Sequence, residues 1–322
     1  MSVTRRDALH SLLGLVGAAA LPNARAQAGY PNAPIHMVIP VPAGGGQDAM
    51  MRMVGAKLTE SWGQPVLVES KAGASGAIAA AAVAKSPADG YTFMLSYSAF
   101  LSNTVLQPNP GYKLSDFVPV AMLAMSPIAI GVRSSLGVNT LQELIALAKK
   151  QPGKLTFGSY GQGSGGHFVG EELNAAAGID MVHVPYKGEA PALQDLVGGQ
   201  IDAAITSVGG LSRFPDKIKP LALVGLSRSP RYKDVPTFGE AGLPAVDLAG
   251  WGGLFAPAGT PKAILNKVTA EVNRIILLPE LAPKLQDLGF EPVGWGPDKM
   301  NAFLNGQLAK IKKLVDDGRV KV

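Results

Sequence analysis

Cysteine is absent from all 322 residues. That excludes disulfides, cysteine-ligated zinc or iron–sulfur sites, a thiol nucleophile and a lipid-modified N-terminal cysteine. Histidine is scarce, with four in the chain. His10 lies in the leader described below, and His36, His167 and His183 do not stand at metal-ligand spacing from one another. Charged residues make up only 16% of the chain. They are scattered apart from short clusters such as Lys310-Ile311-Lys312-Lys313, which reads as one solvated helix face, so nucleic acid binding has little support. The apolar run from Leu9 to Leu21 is too short to span the ~30 Å hydrocarbon layer of a membrane.

What is present begins with a leader. Arg5 and Arg6 precede that apolar run, and Ala24-Arg25-Ala26 supplies a small-x-small cleavage pattern, so residues 1–26 read as a removable export signal. Thr4-Arg5-Arg6 with Leu9 also fits a twin-arginine signal, although Ala8 sits where that pattern prefers Phe, and the general route stays open beside it. The mature chain is expected to be a free resident of a bacterial periplasm. Loss of the leader lowers the formal charge from +5 to +3, with 26 basic residues against 23 acidic ones. The remaining length and 47% hydrophobic content supply a substantial core in one large domain or two ordinary ones.

Two similar units follow. Ile35–Ile39 is strand-like, Pro40 to Gly46 breaks it, and Gln47–Trp62 places Met50, Met53, Val54 and Leu58 at helical spacing. Val66–Val68 and Tyr91–Leu95 add strands around an alanine-rich helix, which makes βαβαβ and a mainly parallel sheet. In the second unit Thr140-x-x-Glu143 opens a helix as a capping box. Lys154–Phe157 is a strand that runs into Gly158-Ser159-Tyr160-Gly161-Gln162-Gly163-Ser164-Gly165-Gly166-His167. A helix from His167 to Ala177 follows, with Gly178 at its C′ position. Met181–Val184, Pro191–Val197 and Ile201–Ile205 continue the alternation, and three helical stretches form the tail. Thr260 reads as the N-cap of the first, with Pro261 at N1.

Each half therefore has a strand ending in a glycine-rich loop that feeds a helix N-terminus. Such an end carries unpaired N–H groups and about +0.5 of an elementary charge, which attracts anions. The spacing Gly161-x-Gly163-x-x-Gly166 also matches the dinucleotide fingerprint. A nucleotide reading needs a carboxylate at the end of the next strand. Asp180 precedes that strand, Glu189 lies beyond a turn, and the strand ends in Pro185-Tyr186. No G-x-S-x-G elbow occurs, since Gln162 stands two residues before Ser164. A hydrolase-like rival would use His167 as base in the same cleft, against a capping or packing role for that ring.

Taken together, these segments resemble the Bug receptors, the substrate-binding proteins of tripartite tricarboxylate transporters. The similarity runs from Tyr30 to near the C-terminus. It is carried by Ile39-Pro40-Val41-Pro42-Ala43-Gly44-Gly45-Gly46-Gln47-Asp48, Gly63-Gln64-Pro65-Val66, Gly73-Ala74-Ser75-Gly76 and Asp89-Gly90-Tyr91-Thr92. Gly158 to Ser164 with His167, His183-Val184-Pro185-Tyr186-Lys187-Gly188 and Gly198-Gly199-Gln200-Ile201-Asp202 follow in order, and Ala256-Pro257-Ala258-Gly259-Thr260-Pro261 leads into the last helices. The resemblance implies an α/β, two-lobed periplasmic binding protein fold, type II-like, with two crossover connections. Residues 27–130 plus 250–322 would form domain 1, and residues 131–249 domain 2. It further implies a non-enzymatic, monomeric receptor without cofactor or metal. That receptor would grip a small organic carboxylate, aliphatic or aromatic, mono- or dicarboxylate, and pass it to the membrane permease subunits of the transporter or to a membrane sensor.

The expected ligand contacts are backbone and hydroxyl groups. Ala43, Gly44, Gly45, Gly46 and Gln47 form the first set, with Asp48 mainly structural because a carboxylate beside an anion site repels its ligand. Ser159, Gly161, Gln162, Gly163 and Ser164 oppose them. Thr206 and Ser207 end a strand of the second unit, and Tyr97 and Ser98 one of the first. Gln47 before Asp48, Ser70-Lys71, and Ile205-Thr206-Ser207 depart from the common family pattern, the first and third beside the expected cleft. Replacing Gly45 or Gly163 with Val is expected to abolish binding and spare the fold.

Overall fold

Apolar residues at four of the five positions of Ile35–Ile39 suit a strand buried on both faces, and this segment, β1, lies inside a six-stranded sheet. The computed structural model describes residues 29–320 except 226, 227, 230, 247 and 319, and the export signal expected over residues 1–26 lies outside them. After β1 come α1 (Gly46–Trp62), β2 (Val66–Ser70), α2 (Ala77–Ala84), β3 (Thr92–Ser96), α3 (Ala99–Leu106) and β4 (Phe117–Ser126). The second group comprises β5 (Ile128–Arg133), α4 (Leu141–Lys150), β6 (Thr156–Ser159), α5 (Gly165–Ala177), β7 (Val182–Pro185), α6 (Glu189–Val197), β8 (Ala203–Ser207), α7 (Val208–Leu211) and β9 (Ile218–Leu223). Last are β10 (Gly250–Pro257), α8 (Lys262–Ile276), α9 (Ala282–Asp287), β11 (Glu291–Trp295) and α10 (Pro297–Asp316).

Two sheets result, in the orders β11-β4-β10-β3-β1-β2 and β7-β6-β8-β5-β9. The parallel pairing expected of the first unit holds for β1 with β2 and β3. The rest of that sheet is antiparallel, because β10 returns from the other lobe and enters between β3 and β4 from the opposite end. In the second sheet β6 runs parallel to β7 and β8, while β5 is antiparallel to β8 and β9. The chain passes from one sheet to the other at Pro127 and returns through 224–249.

Alternation along the strands divides the core by faces. Ile35, Met37, Ile39, Phe93 and Leu95 pack with the stripe Ile264, Val268, Val272, Ile275 of α8, whereas Val38 and Met94 turn to the cluster that holds Phe100, Phe255 and the buried face of α10. In the second lobe glycine lets α5 lie close on its sheet. A Cβ on Gly170 would stand 2.1 Å from the Phe157 ring, and one on Gly166 2.2 Å from the Ile205 carbonyl oxygen. The capping hydroxyl of Thr140 accepts from the Glu143 amide as expected. Thr260 is not a cap: α8 starts one residue later, after Pro261, and the Thr260 hydroxyl donates back to the Pro257 carbonyl. Among the described residues no helix is long and apolar enough to cross a membrane.

Candidate functional site

Four loops at strand carboxyl ends carry the expected residues, each leading into a helix: 40–45 into α1, 97–98 into α3, 160–164 into α5 and Ser207 into α7. In the first, Ala43, Gly44 and Gly45 are exposed, Gly46 and Gln47 half-buried and Asp48 buried. Gly44 takes φ +89°, which glycine adopts without strain, and its N–H donates to Asp48 Oδ2 at 2.9 Å. Arg52 Nε sits 2.9 Å from the other Asp48 oxygen. The Arg52 hydrogen bond, opposed by burial and aided by the Gly44 amide, holds the Asp48 carboxyl below its usual range. The carboxylate beside the loop is thus compensated, one helical turn away, by a residue the sequence reading passed over. Gly45, extended at φ −83° and ψ 171°, is the N-cap of the 17-residue α1, and no side chain caps the first turn. Gln47 Oε1 is buried without a hydrogen-bond partner among the described residues. This helix start therefore presents backbone donors to an open surface.

The second loop is differently constituted. Ser159 is fully buried; its hydroxyl donates to the Gly161 carbonyl at 3.0 Å, accepts from the Gly161 amide at 3.3 Å and meets His183 Nε2 at 2.8 Å. The Gly163 amide donates to His167 Nδ1 at 3.1 Å. Ser164 caps α5, its hydroxyl accepting from the His167 amide at 3.4 Å. Burial pushes the ionisation of the Tyr160 hydroxyl up, against the influence of the Gly166 amide and the Ser98 side chain of the first lobe. Gln162 is exposed at the tip. Several of the loop's donors are thus engaged within the protein, whereas α1 keeps an uncapped end.

His167 is only 3% exposed and stacks on His183 at 4.0 Å and 9° between ring planes. Burial lowers the His167 pKa to about 4, and burial together with the neighbouring His167 lowers that of His183 to about 3. A ring whose Nδ1 already accepts from Gly163 and whose charged form is disfavoured is a neutral prop under the loop, not a base facing substrate. The fingerprint spacing has the same fate, because the Gly163 amide meets His167 and Gly166 packs against the Ile205 carbonyl and the Tyr160 ring.

Tyr97 is half-buried with its hydroxyl pushed up to about 12 by burial, and Ser98 is buried. Thr206 is completely buried with Oγ1 unpartnered among the described residues. Ser207 caps α7 through its hydroxyl, which accepts from Gly210 N–H at 2.9 Å, and its own amide donates to Glu189 Oε2 at 2.7 Å.

The two lobes touch around these loops. The Ser102 hydroxyl donates to the Gly163 carbonyl at 2.5 Å and the Ser75 hydroxyl to the Gln162 carbonyl at 3.4 Å, while within the first lobe Asn103 Nδ2 donates to the Ser75 carbonyl at 3.1 Å. Ser75 lies in the Gly73–Gly76 turn, where Ala74 and Ser75 both hold positive φ, of 46° and 50°. Left-handed backbone at two consecutive non-glycine residues is costly and persists where surrounding contacts demand it. That turn links the loops, since a Cβ on Gly76 would stand 3.0 Å from Pro40 and 3.7 Å from the Tyr97 hydroxyl. On the other side, Phe290 lies 3.2 Å from the Cβ position of Gly46, and the Leu288 carbonyl 2.4 Å from that of Gly209. A cavity of about 220 Å³ opens there, lined by Val208, Ser229, Arg231, Asp287, Phe290 and Glu291. Ser75, Ser102, Tyr160 and Glu189 were missed as candidates. Ser75 and Tyr160 stood inside motifs without a role of their own, and Glu189 entered only as a rejected ribose ligand.

Comparison with known proteins bears on the family and the fold. The family model described as tripartite tricarboxylate transporter family receptor matches residues 50–319. Protein BugT of Bordetella pertussis is 34% identical over 300 residues, which cover 91% of each chain. Among solved structures, an R. palustris protein with adipate superposes with a TM-score of 0.83 at 33% identity, covering 89% of this chain and 97% of that one. MatC from Rhodopseudomonas palustris with bound malate gives 0.80 at 30% identity, covering 89% and 100%. Two lobes of mixed α/β structure, loops converging at the strand ends and a match along most of the chain lead to one assignment: this protein belongs to the tripartite tricarboxylate transporter receptor family, the Bug solute-binding proteins, and is a receptor and not an enzyme.

Proposed function

We propose that the mature protein captures a small organic carboxylate in the periplasm, closes its lobes over it and delivers it, as a monomer, to the membrane subunits of a tripartite transporter. The observation that carries this reading is the uncapped N-terminus of α1, behind an exposed glycine loop whose neighbouring carboxylate is already neutralised by Arg52. A ligand carboxylate accepts from amides at Gly45, Gly46 and Gln47, where the partial positive charge of a 17-residue helix is concentrated. The 159–164 loop, with Tyr97 and Ser98, forms the opposing wall, and Thr206 and Ser207 lie towards the ligand's far end. Pro127 and 224–249 act as hinges, and the donations from Ser75 and Ser102 favour the closed state. Adipate and malate in two solved relatives support the ligand class. Cleavage after Ala26 releases the receptor into the periplasm.

A thermal-shift screen over mono- and dicarboxylates tests the reading, since a ligand selective for the folded form raises the midpoint by mass action. At least one carboxylate is expected to shift it by several degrees. A flat response to all of them refutes the proposal.

A further inference from the structure

The second lobe carries a carboxylate of its own where the sequence suggested a place for the ligand's far end. Glu189 is the first residue of α6, and its side chain reaches across to the start of α7. Oε2 accepts the Ser207 amide at 2.7 Å, and a Cβ on Gly210 would stand only 2.2 Å from Oε1, so glycine at 210 is what admits the carboxylate. Glu189 as a residue is half-buried, and burial pushes its carboxyl above the usual carboxylate range, opposed by hydrogen bonds from the Ser207 hydroxyl and amide and by the Arg213 cation. It is close enough to the Tyr160 hydroxyl to disfavour that group's ionisation, and Ser98 of the first lobe acts on the same hydroxyl. Thr206 stands two residues beyond Ala204 in β8, on the same face of the sheet, which packs against α6 and α7, so its fully buried hydroxyl, unpartnered among the described residues, lies on the side that carries Glu189.

We infer that Glu189 determines specificity: the ligand joins one carboxylate, held at α1, to a hydrogen-bond donor such as a hydroxyl or ammonium at its other end, instead of a second carboxylate. The inference rests on the carboxylate anchor proposed above. A second carboxylate directed at Ser207 would meet an acceptor where it needs a donor, and a like charge in a site with restricted water. A hydroxyl or ammonium would instead add a donor to the Glu189 carboxylate beside the Ser207 amide, with the Thr206 hydroxyl as a further partner.

Calorimetric titration of the mature receptor with succinate, glutarate and adipate, and with the ω-hydroxy and ω-amino acids of the same lengths, tests this. At the best chain length, the hydroxy or amino acid is expected to bind at least tenfold more tightly than the dicarboxylate. Glu189→Gln, which keeps the shape and offers a donor, is expected to tighten dicarboxylate binding tenfold and erase the preference. Equal or tighter dicarboxylate binding by the natural protein overturns the inference without any variant, and leaves the carboxylate anchor standing. An unchanged ratio in a folded Glu189→Gln overturns it as well. Binding of none of the nine compounds, with no response in the wider screen, overturns the anchor and this inference with it.

Discussion

Gly45→Val separates ligand anchoring from folding. Gly45 is extended, so valine meets no left-handed strain there, and the nearest atom to an added Cβ is the Pro42 carbonyl oxygen at 3.9 Å. The fold therefore has room for the side chain. Its cost is the poorer N-cap, up to about 1 kcal/mol, or roughly 2–4 °C in the melting midpoint for a domain of this size. The two methyl groups stand over the first-turn amides, where the ligand carboxylate would lie. Charge-assisted hydrogen bonds contribute about 1.5–3 kcal/mol each, so loss of two weakens binding by about 3 kcal/mol at the lower bound, roughly 150-fold. Calorimetry with the tightest carboxylate from the screen, alongside melting of the free protein, measures both terms. Wild-type affinity in a well-folded variant would refute the anchor at α1. A collapse of the free protein's midpoint would show that the loop is structural instead.

The remaining expectations concern closure, charge and acid. Gly209→Ala places a methyl 2.4 Å from the Leu288 carbonyl and 2.8 Å from Gly289 Cα of the other lobe. It should oppose the closed state by about 1–3 kcal/mol and weaken ligand binding roughly 5- to 150-fold with little change in free-protein melting; unchanged affinity argues against closure at this contact. Arg52→Gln uncovers the Asp48 charge beside the anchor and should weaken carboxylate binding by about fivefold, more at low salt, as titrations at two ionic strengths would reveal. His167 and His183 have depressed pKa values of about 4 and 3, so the native state binds fewer protons than the unfolded chain below pH 6.5. Stability from this pair is complete above pH 6.5 and is lost as pH falls towards 4, at up to about 1.4 kcal/mol per pH unit for each of the two rings. Urea melts at pH 7, 6 and 5 should show that slope, and His183→Gln should roughly halve it.

Much of the architecture was legible in local patterns. Alternating apolar strands, the Thr140 cap and Gly178 at a helix end are short-range signals, and the structure repeats them within a residue or two. Thr260 misled, because a Thr-Pro pair reads as cap and first turn whether or not the hydroxyl has a better acceptor three residues back. Gly45 and Gly163 looked equivalent as chain punctuation. They differ in space: Gly163 holds φ +67° with Leu106 only 2.8 Å from a Cβ, so Gly163→Val would strain the fold as well as the site. Glu189 could not be read as a site residue, since what gives it that place is its reach to an amide 18 positions away and a gap left by Gly210.

By itself, then, the order of residues determined the repeated strand–loop–helix units, the glycine at each turn and the absence of thiol chemistry. These follow from periodicity, backbone freedom and inventory, all of which act within a few residues. Only the tertiary structure decided which helix end beside the glycine loops stays uncapped, which imidazoles are kept neutral and which carboxylate reaches the start of α7. Burial, the choice of hydrogen-bond partner and electrostatic compensation depend on groups that meet only after the chain has crossed twice between its lobes.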